Sequence, residues 1–282
     1  MFTTLIDAEA LSGLLAGPGA VLLDCRAVLG ELGAGLRAFE GGHIPGAVHL
    51  DLESDLSGPP NGRNGRHPLP DRAKAAAAFA AAGLSAGQQA IAYDDQGGAY
   101  AGRCWWLLRW LGHDAVAVLD GGIQAWEAAG FALETGPACP RAPGSFTANV
   151  EPTGWIVTVE DVERGSASGH PRVIDARAAD RFHGAPHPLD TASGHVPGAR
   201  NRFYRENLGP DGRYKSAAAL RAEYDALLAG EAPSDIAMQC GSGVTACHNL
   251  LAMEIAGLPG ARLWPGSWSE WTSDPKRPVV LD

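Results

Sequence analysis

Short apolar runs and longer helix-patterned stretches alternate along this chain. The runs in "VLLDCR" (21–26), "AIAYDD" (90–95) and "AVAVLD" (115–120) are brief and lack polar alternation, which predicts strands buried on both faces. Helical stretches such as "AKAAAAFAAAG" (73–83) lie between them. The second half has the same order: "RVIDAR" (172–177), the helical "SAAALRAEYDALLAG" (216–230), "DIAMQC" (235–240), the helical "NLLAMEIAG" (249–257) and "ARLW" (261–264). Strands alternating with helices predict an α/β protein with mainly parallel sheets.

The order repeats because the sequence repeats. "VLLDCR" returns as "RVIDAR", and "GHIPGAVHL" (42–50) as "GHVPGARNR" (194–202). "AIAYDDQGGAYAGRCWWLLRWLG" (90–112) matches "DIAMQCGSGVTACHNLLAMEIAG" (235–257), and "LDGGIQAW" (119–126) matches "WPGSWSEW" (264–271). The spacing between copies is constant from Asp95/Cys240 to Trp126/Trp271 and larger upstream. The first copy therefore carries extra residues, which fall in the Gly/Pro/Asn-rich loop "ESDLSGPPNGRNGRHPLP" (53–70). The expected organisation is a first domain over 1–135, a Pro/Gly-rich linker over 136–150, and a second domain over 151–282.

Composition narrows the function classes. The chain has 282 residues, 45% of them hydrophobic and 19% charged, which is ample for packed cores. A formal net charge of −10 disfavours nucleic acid and anionic membranes as partners, and obliges a site for an anion to build its own positive field. The start "MFTTLIDAEALSGLLAGPGAVLLD" has no basic region ahead of an apolar one, so it does not read as a secretory signal, and no apolar run reaches bilayer-spanning length. The five cysteines (25, 104, 139, 240, 247) form neither a disulfide framework nor a CxxC metal pair. The expectation is a soluble, cytoplasmic protein with reduced thiols.

One thiol stands apart. Cys240 opens "CGSGVT" between an apolar run and a helix, where the first copy has Asp95. Gly241 and Gly243 let a backbone curl closely around the sulfur. N–H groups of such a turn at a helix start form an anion-binding nest that favours a thiolate, and Ser242 and Thr245 add hydroxyls. The bland alternative is a small buried residue, as free cysteine often is. A cysteine phosphatase loop would close with arginine six residues on, but Ala246 stands there.

The tandem repeat, the Asp-x-Arg strand ends, the Gly-His-x-Pro-Gly turns and "GSWSEW" together resemble the rhodanese superfamily of two-domain sulfurtransferases. The resemblance covers nearly the whole chain. It implies two tandem rhodanese-like domains, each a mainly parallel sheet flanked by helices, with the first copy inactive and Cys240 as nucleophile in the second. "CGSGVTA" is similar to the active loop of the 3-mercaptopyruvate branch; the thiosulfate branch carries basic residues where this chain has neutral Gly241 and Ser242. The implied reaction moves sulfane sulfur from a small-molecule donor to cyanide or a thiol such as thioredoxin or a small thiol. It passes through a Cys240 persulfide, with no cofactor and no metal.

The resemblance also assigns residues. Arg181 falls where the family keeps an arginine that grips the substrate anion, and the loop residues Gly241, Gly243, Val244 and Thr245 complete the substrate site. His67 matches a histidine that works with a loop serine, here Ser242, and an acid near Glu53 or Asp51. A second arginine, expected some nine residues beyond the first, is missing: Asp190 stands there, leaving His183, His187 or Arg200 as substitutes. Arg177, His43 and His195 have structural readings because both copies carry such residues. Cys247 is expected in the core, Cys25 and Cys104 buried, Cys139 exposed, and the repeat-matched tryptophans packed. Thiosulfate as donor, or a non-catalytic docking module of the same fold, are the alternatives.

Overall fold

The computed structural model describes residues 1–17, 19–149 and 152–281, which form two compact units. The first unit contains β1 (Leu5–Ile6), α1 (Ala8–Leu15), β2 (Ala20–Asp24), α2 (Ala34–Gly41), β3 (Val48–His49), α3 (Arg72–Ala81), β4 (Gln89–Tyr93), α4 (Ala101–Trp110), β5 (Val116–Leu119) and α5 (Gly122–Ala128). Its strands lie in the order β1-β5-β4-β2-β3, every pair parallel. The sheet is apolar on both faces because helices flank it: Leu22, Ile91 and Ala117 share a buried cluster with Leu11, Phe39 and Trp126. Asp7 and Asp71 cap α1 and α3 by accepting backbone N–H bonds.

The second unit contains α6 (Val159–Ser168), β6 (Arg172–Asp175), α7 (Ala179–Phe182), β7 (Arg200–Asn201), α8 (Ala217–Leu228), β8 (Ile236–Gln239), α9 (Ala246–Ile255), β9 (Arg262–Leu263) and α10 (Ser267–Trp271). Its sheet runs β7-β6-β8-β9, again entirely parallel. Thr158 and Asp161 form a reciprocal capping box that starts α6. Val157, Val162, Val173, Ala237, Trp264, Trp268 and Trp271 fill its core.

The repeated motifs fold alike. Arg26 doubles back on Asp24 (2.7 Å) and donates to Gly42 O at 2.8 Å; Arg177 does the same with Asp175 (2.7 Å) and Gly194 O (2.8 Å). His43 stacks on Phe39 and His195 on Phe182, each with ring centroids 3.8 Å apart and Nδ1 against a backbone carbonyl. These polar residues tie the turn after each strand to the adjoining helix, and most of their buried polar atoms are hydrogen-bonded there. Tryptophans 105, 106, 110, 126, 268 and 271 are all buried, as are Cys25, Cys104 and Cys247, whereas Cys139 is exposed.

Two segments depart from a simple cut in the linker. Residues 59–69 belong to the second unit and 210–214 to the first. Gly65 is pressed so closely on Gly266 that a Cβ would lie 2.6 Å from its carbonyl oxygen, and Arg66 N–H donates to Ser269 Oγ at 3.0 Å. Tyr214 N–H donates to Asp120 at 2.8 Å. The stretch 138–149 also packs rather than hanging free: Gly144 and Phe146 donate to Ala80 O and Leu84 O around the end of α3.

Candidate active site

β8 is paired on both sides, so the chain leaving it is fixed where it turns towards α9. Cys240 is the first residue of that turn and is 3% exposed. Its Sγ accepts from Gly243 N–H at 3.1 Å and from Ser242 N–H at 3.4 Å. Gly243 has φ of +80°, and a Cβ there would lie 2.2 Å from Pro265 O, so only glycine closes the curl. The loop is clamped from below. Trp268 N–H donates to Cys240 O (3.1 Å), Ser269 N–H to Gly241 O (3.0 Å), and Cys240 N–H to Ser267 Oγ (3.2 Å). Such a nest, at the start of a ten-residue helix, places positive dipole ends around the sulfur.

A second feature is a buried hydrogen bond. His67 Nδ1 and Ser242 Oγ are 2.7 Å apart, with both residues at most 5% exposed. Ser242 therefore touches the sulfur through its N–H and the imidazole through its hydroxyl.

The third feature is an arginine group over the loop. A Cβ on Gly241 would fall 2.8 Å from Arg66 Nη2 and 3.2 Å from Arg181 Nη2. Asp190, almost completely buried, holds the group together: it accepts from Arg181 Nε (3.0 Å) and Nη2 (2.8 Å), and lies 3.7 Å from Arg66 and 3.8 Å from Arg177. Arg66 also donates to Leu189 O. Burial pushes Arg66 below the usual arginine range, Asp190 and Cys240 draw it back up, and Arg181 and Arg177 push it down again. Burial and then Arg181 likewise lower His187, which lies beside the group, with Asp190 opposing.

The structure thus brings Cys240, Gly241, Ser242, Gly243, Val244, Thr245, His67 and Arg181 to one place. Arg181 is neither solvated nor paired through its side chain with Asp180; only its backbone N–H meets that residue. Arg200 does not substitute for the missing arginine: its guanidinium is taken by Leu227 O, Leu228 O and Glu231. His183 packs edge-on against Phe182. Asp51 and Glu53 belong to the first unit, where Asp51 Oδ1 accepts from the backbone N–H groups of Glu53 (2.9 Å) and Ser54 (3.0 Å). Arg66 and Ser267 were missed. Arg66 adjoins His67 in "GRHPLP", and only the folding of 59–69 onto the loop reveals it. Among the described residues no three His, Cys, Asp or Glu side chains gather as metal ligands.

The equivalent loop of the first unit is closed by its own acid. Asp94, the counterpart of Gln239, accepts from Gln96 and Gly98 N–H (both 2.9 Å) through one oxygen, and from Tyr100 (2.7 Å) and Ala101 (2.9 Å) through the other. In the second unit Gln239 turns away and donates to Asp175 at 2.6 Å, which leaves the nest to the sulfur.

Two parallel-sheet repeats, one of them presenting a thiol in a backbone nest, define the class. The model of the rhodanese-like domain matches residues 7–129 and 158–274, and the chain belongs to that family. It is 45% identical to a probable 3-mercaptopyruvate sulfurtransferase of Pseudomonas aeruginosa, over 98% of this chain and 97% of that one. It is 38% identical to a putative thiosulfate sulfurtransferase of Mycobacterium tuberculosis, over 98% and 96%. The structure of 3-mercaptopyruvate sulfurtransferase from Leishmania major superposes with a TM-score of 0.84 at 30% identity, covering 98% of this chain and 75% of that one. The chain is a sulfurtransferase.

Proposed function

We propose that the chain moves sulfane sulfur from 3-mercaptopyruvate to a thiol acceptor through a persulfide on Cys240. The observation that carries this reading is the seat of Cys240 Sγ, held by two N–H donors and with the Ser242–His67 pair alongside. The Cys240 thiolate attacks the donor sulfur; an S–S bond forms and the C–S bond breaks, its electron pair passing to carbon. The enolate of pyruvate takes the proton that the donor thiol gives up, relayed through Ser242 and His67. Arg181 binds the donor carboxylate, and the N–H groups of the nest stabilise the terminal persulfide anion. Thioredoxin, a small thiol or cyanide then takes the outer sulfur and restores the thiolate. Transfer to a thiol suits a reducing compartment, and we place the protein in the cytoplasm.

Neutral Gly241 and Ser242 favour a monocarboxylate over doubly charged thiosulfate. Thiosulfate is the second reading, favoured by the nearness of both Arg66 and Arg181 to Gly241. The test is incubation with 3-mercaptopyruvate, followed by intact-mass measurement and pyruvate assay. Gain of one sulfur on Cys240 with equimolar pyruvate is expected, and none in Cys240→Ser. Turnover by Cys240→Ser would overturn the scheme, and a higher kcat/KM for thiosulfate would overturn the donor.

A further inference from the structure

Ser267 has φ of +54°, a left-handed conformation that a residue with a Cβ adopts only at a cost in strain. Among the described residues the other non-glycine with positive φ is Ala229, the ordinary C-cap of α8. In the match of 119–126 with 264–271, Gly122 stands where Ser267 does and has φ of +61°. The first unit thus meets the same backbone demand with glycine, and a Cβ there would lie 2.3 Å from Asp94 O. The second unit accepts the strain and carries a side chain, which is completely buried.

The hydroxyl of Ser267 ends the β8–β9 ladder at the cysteine. Trp264 N–H donates to Met238 O at 2.9 Å, and in a continuous parallel ladder Cys240 N–H would donate to Trp264 O next. Ser267 Oγ stands between them: it accepts from Cys240 N–H at 3.2 Å and donates to Trp264 O at 2.9 Å. The next residue, Trp268, gives its N–H to Cys240 O at 3.1 Å. Both backbone groups of Cys240 are therefore held by the start of α10, and its side chain is left to the N–H groups of Ser242 and Gly243. Glycine at 267 would supply the turn without the hydroxyl, so the turn alone does not explain the serine.

We propose that Ser267 is a positioning residue for sulfur transfer: its hydroxyl, inserted between Cys240 N–H and Trp264 O, aims the sulfur into its nest. This rests on the sulfur-transfer reading above. Ser267 acts through the Cys240 backbone and not on donor or acceptor. Without the hydroxyl, Cys240 N–H either closes onto Trp264 O and re-aims the sulfur, or stays buried and unpaired.

The test separates hydroxyl from strain, because Ser267→Gly removes both and Ser267→Ala removes the hydroxyl alone. Three quantities are measured: kcat and KM with 3-mercaptopyruvate and cyanide, the melting temperature, and the rate at which iodoacetamide alkylates Cys240 near neutral pH, read by peptide mass. Both variants are expected to lower kcat about tenfold or more with KM within about twofold, and to slow Cys240 alkylation about fivefold or more. Ser267→Gly should nevertheless melt above Ser267→Ala, so that activity follows the hydroxyl while stability follows the strain. A purely structural residue would move activity and melting temperature together. A kcat within about twofold of wild type in either folded variant would overturn the proposal, as would alkylation of Cys240 at the wild-type rate. Should the glycine variant fail to fold, the alanine variant is judged by the same criteria. Wild type that takes no sulfur from 3-mercaptopyruvate or thiosulfate would instead remove the sulfur-transfer reading, and the alkylation rates would still decide the hold of Ser267 on the sulfur.

Discussion

His67 Nδ1 lies 2.7 Å from Ser242 Oγ in a buried hydrogen bond, and the N–H of the same serine reaches Cys240 Sγ. One residue thus couples the sulfur to a base. In the proposed reaction, a proton passed along this bond serves the enolate and not the attack itself. Ser242→Ala and His67→Ala are each expected to lower kcat about 10- to 100-fold while leaving one sulfur loaded per Cys240 in a slow single turnover. The double variant should cost little more than either single one, because the two act as a unit. Fully additive losses, or unchanged kcat in both single variants, would count against the relay.

Gly243 is the hinge of the nest. With φ of +80° and Pro265 O in the way of any Cβ, Gly243→Ala strains the backbone and pushes an N–H away from the sulfur. The expected result is a loss of about 1–3 kcal/mol in denaturant unfolding together with more than about tenfold lower turnover. Gly241→Ala makes a useful contrast. Its Cβ would meet guanidinium tips, which can shift, so donor KM should rise with little change in stability.

Asp94 satisfies four backbone N–H groups in the first unit. Asp94→Asn replaces one accepting oxygen by an N–H₂ facing N–H donors. We expect a loss of about 2–4 kcal/mol, read by chemical denaturation. A variant as stable as wild type would show that the nest tolerates repulsion and that the carboxylate is not what shapes it.

Asp95 carries a pH signature. Burial, and after it the charge of Asp94, raises its carboxyl above the ordinary range, with Arg26 opposing. A carboxyl raised in the folded state costs stability once it is ionised, so the cost is absent below its unfolded pKa and develops as pH rises through the folded one. Asn is neutral throughout. Asp95→Asn should therefore melt higher than wild type near neutral pH, with the gap closing as pH falls through the carboxylate range. A gap that persists in acid would assign the effect to packing.

Much of this protein was legible in the chain. Apolar runs too short for helices, repeated in register with the same turns, fix two parallel α/β sheets, because a strand buried on both faces has few other ways to satisfy its backbone. Cys240 between glycines at a strand end marked the loop, since glycine spacing reports the backbone curl directly. Tertiary structure alone decided the rest. Nothing in "GRHPLP" says that residues 59–69 pack with the second unit; the resemblance paired His67 with Ser242, but the position of Arg66 over Gly241 came only from that packing. Nor does sequence reveal that Asp190 binds Arg181, or that Asp94 fills the first nest while Gln239 leaves the second to the sulfur. Local pattern sets which residues are helix, strand or turn. The field at the sulfur is a sum over charges distant in sequence, and only the folded chain brings them within a few ångströms of one another.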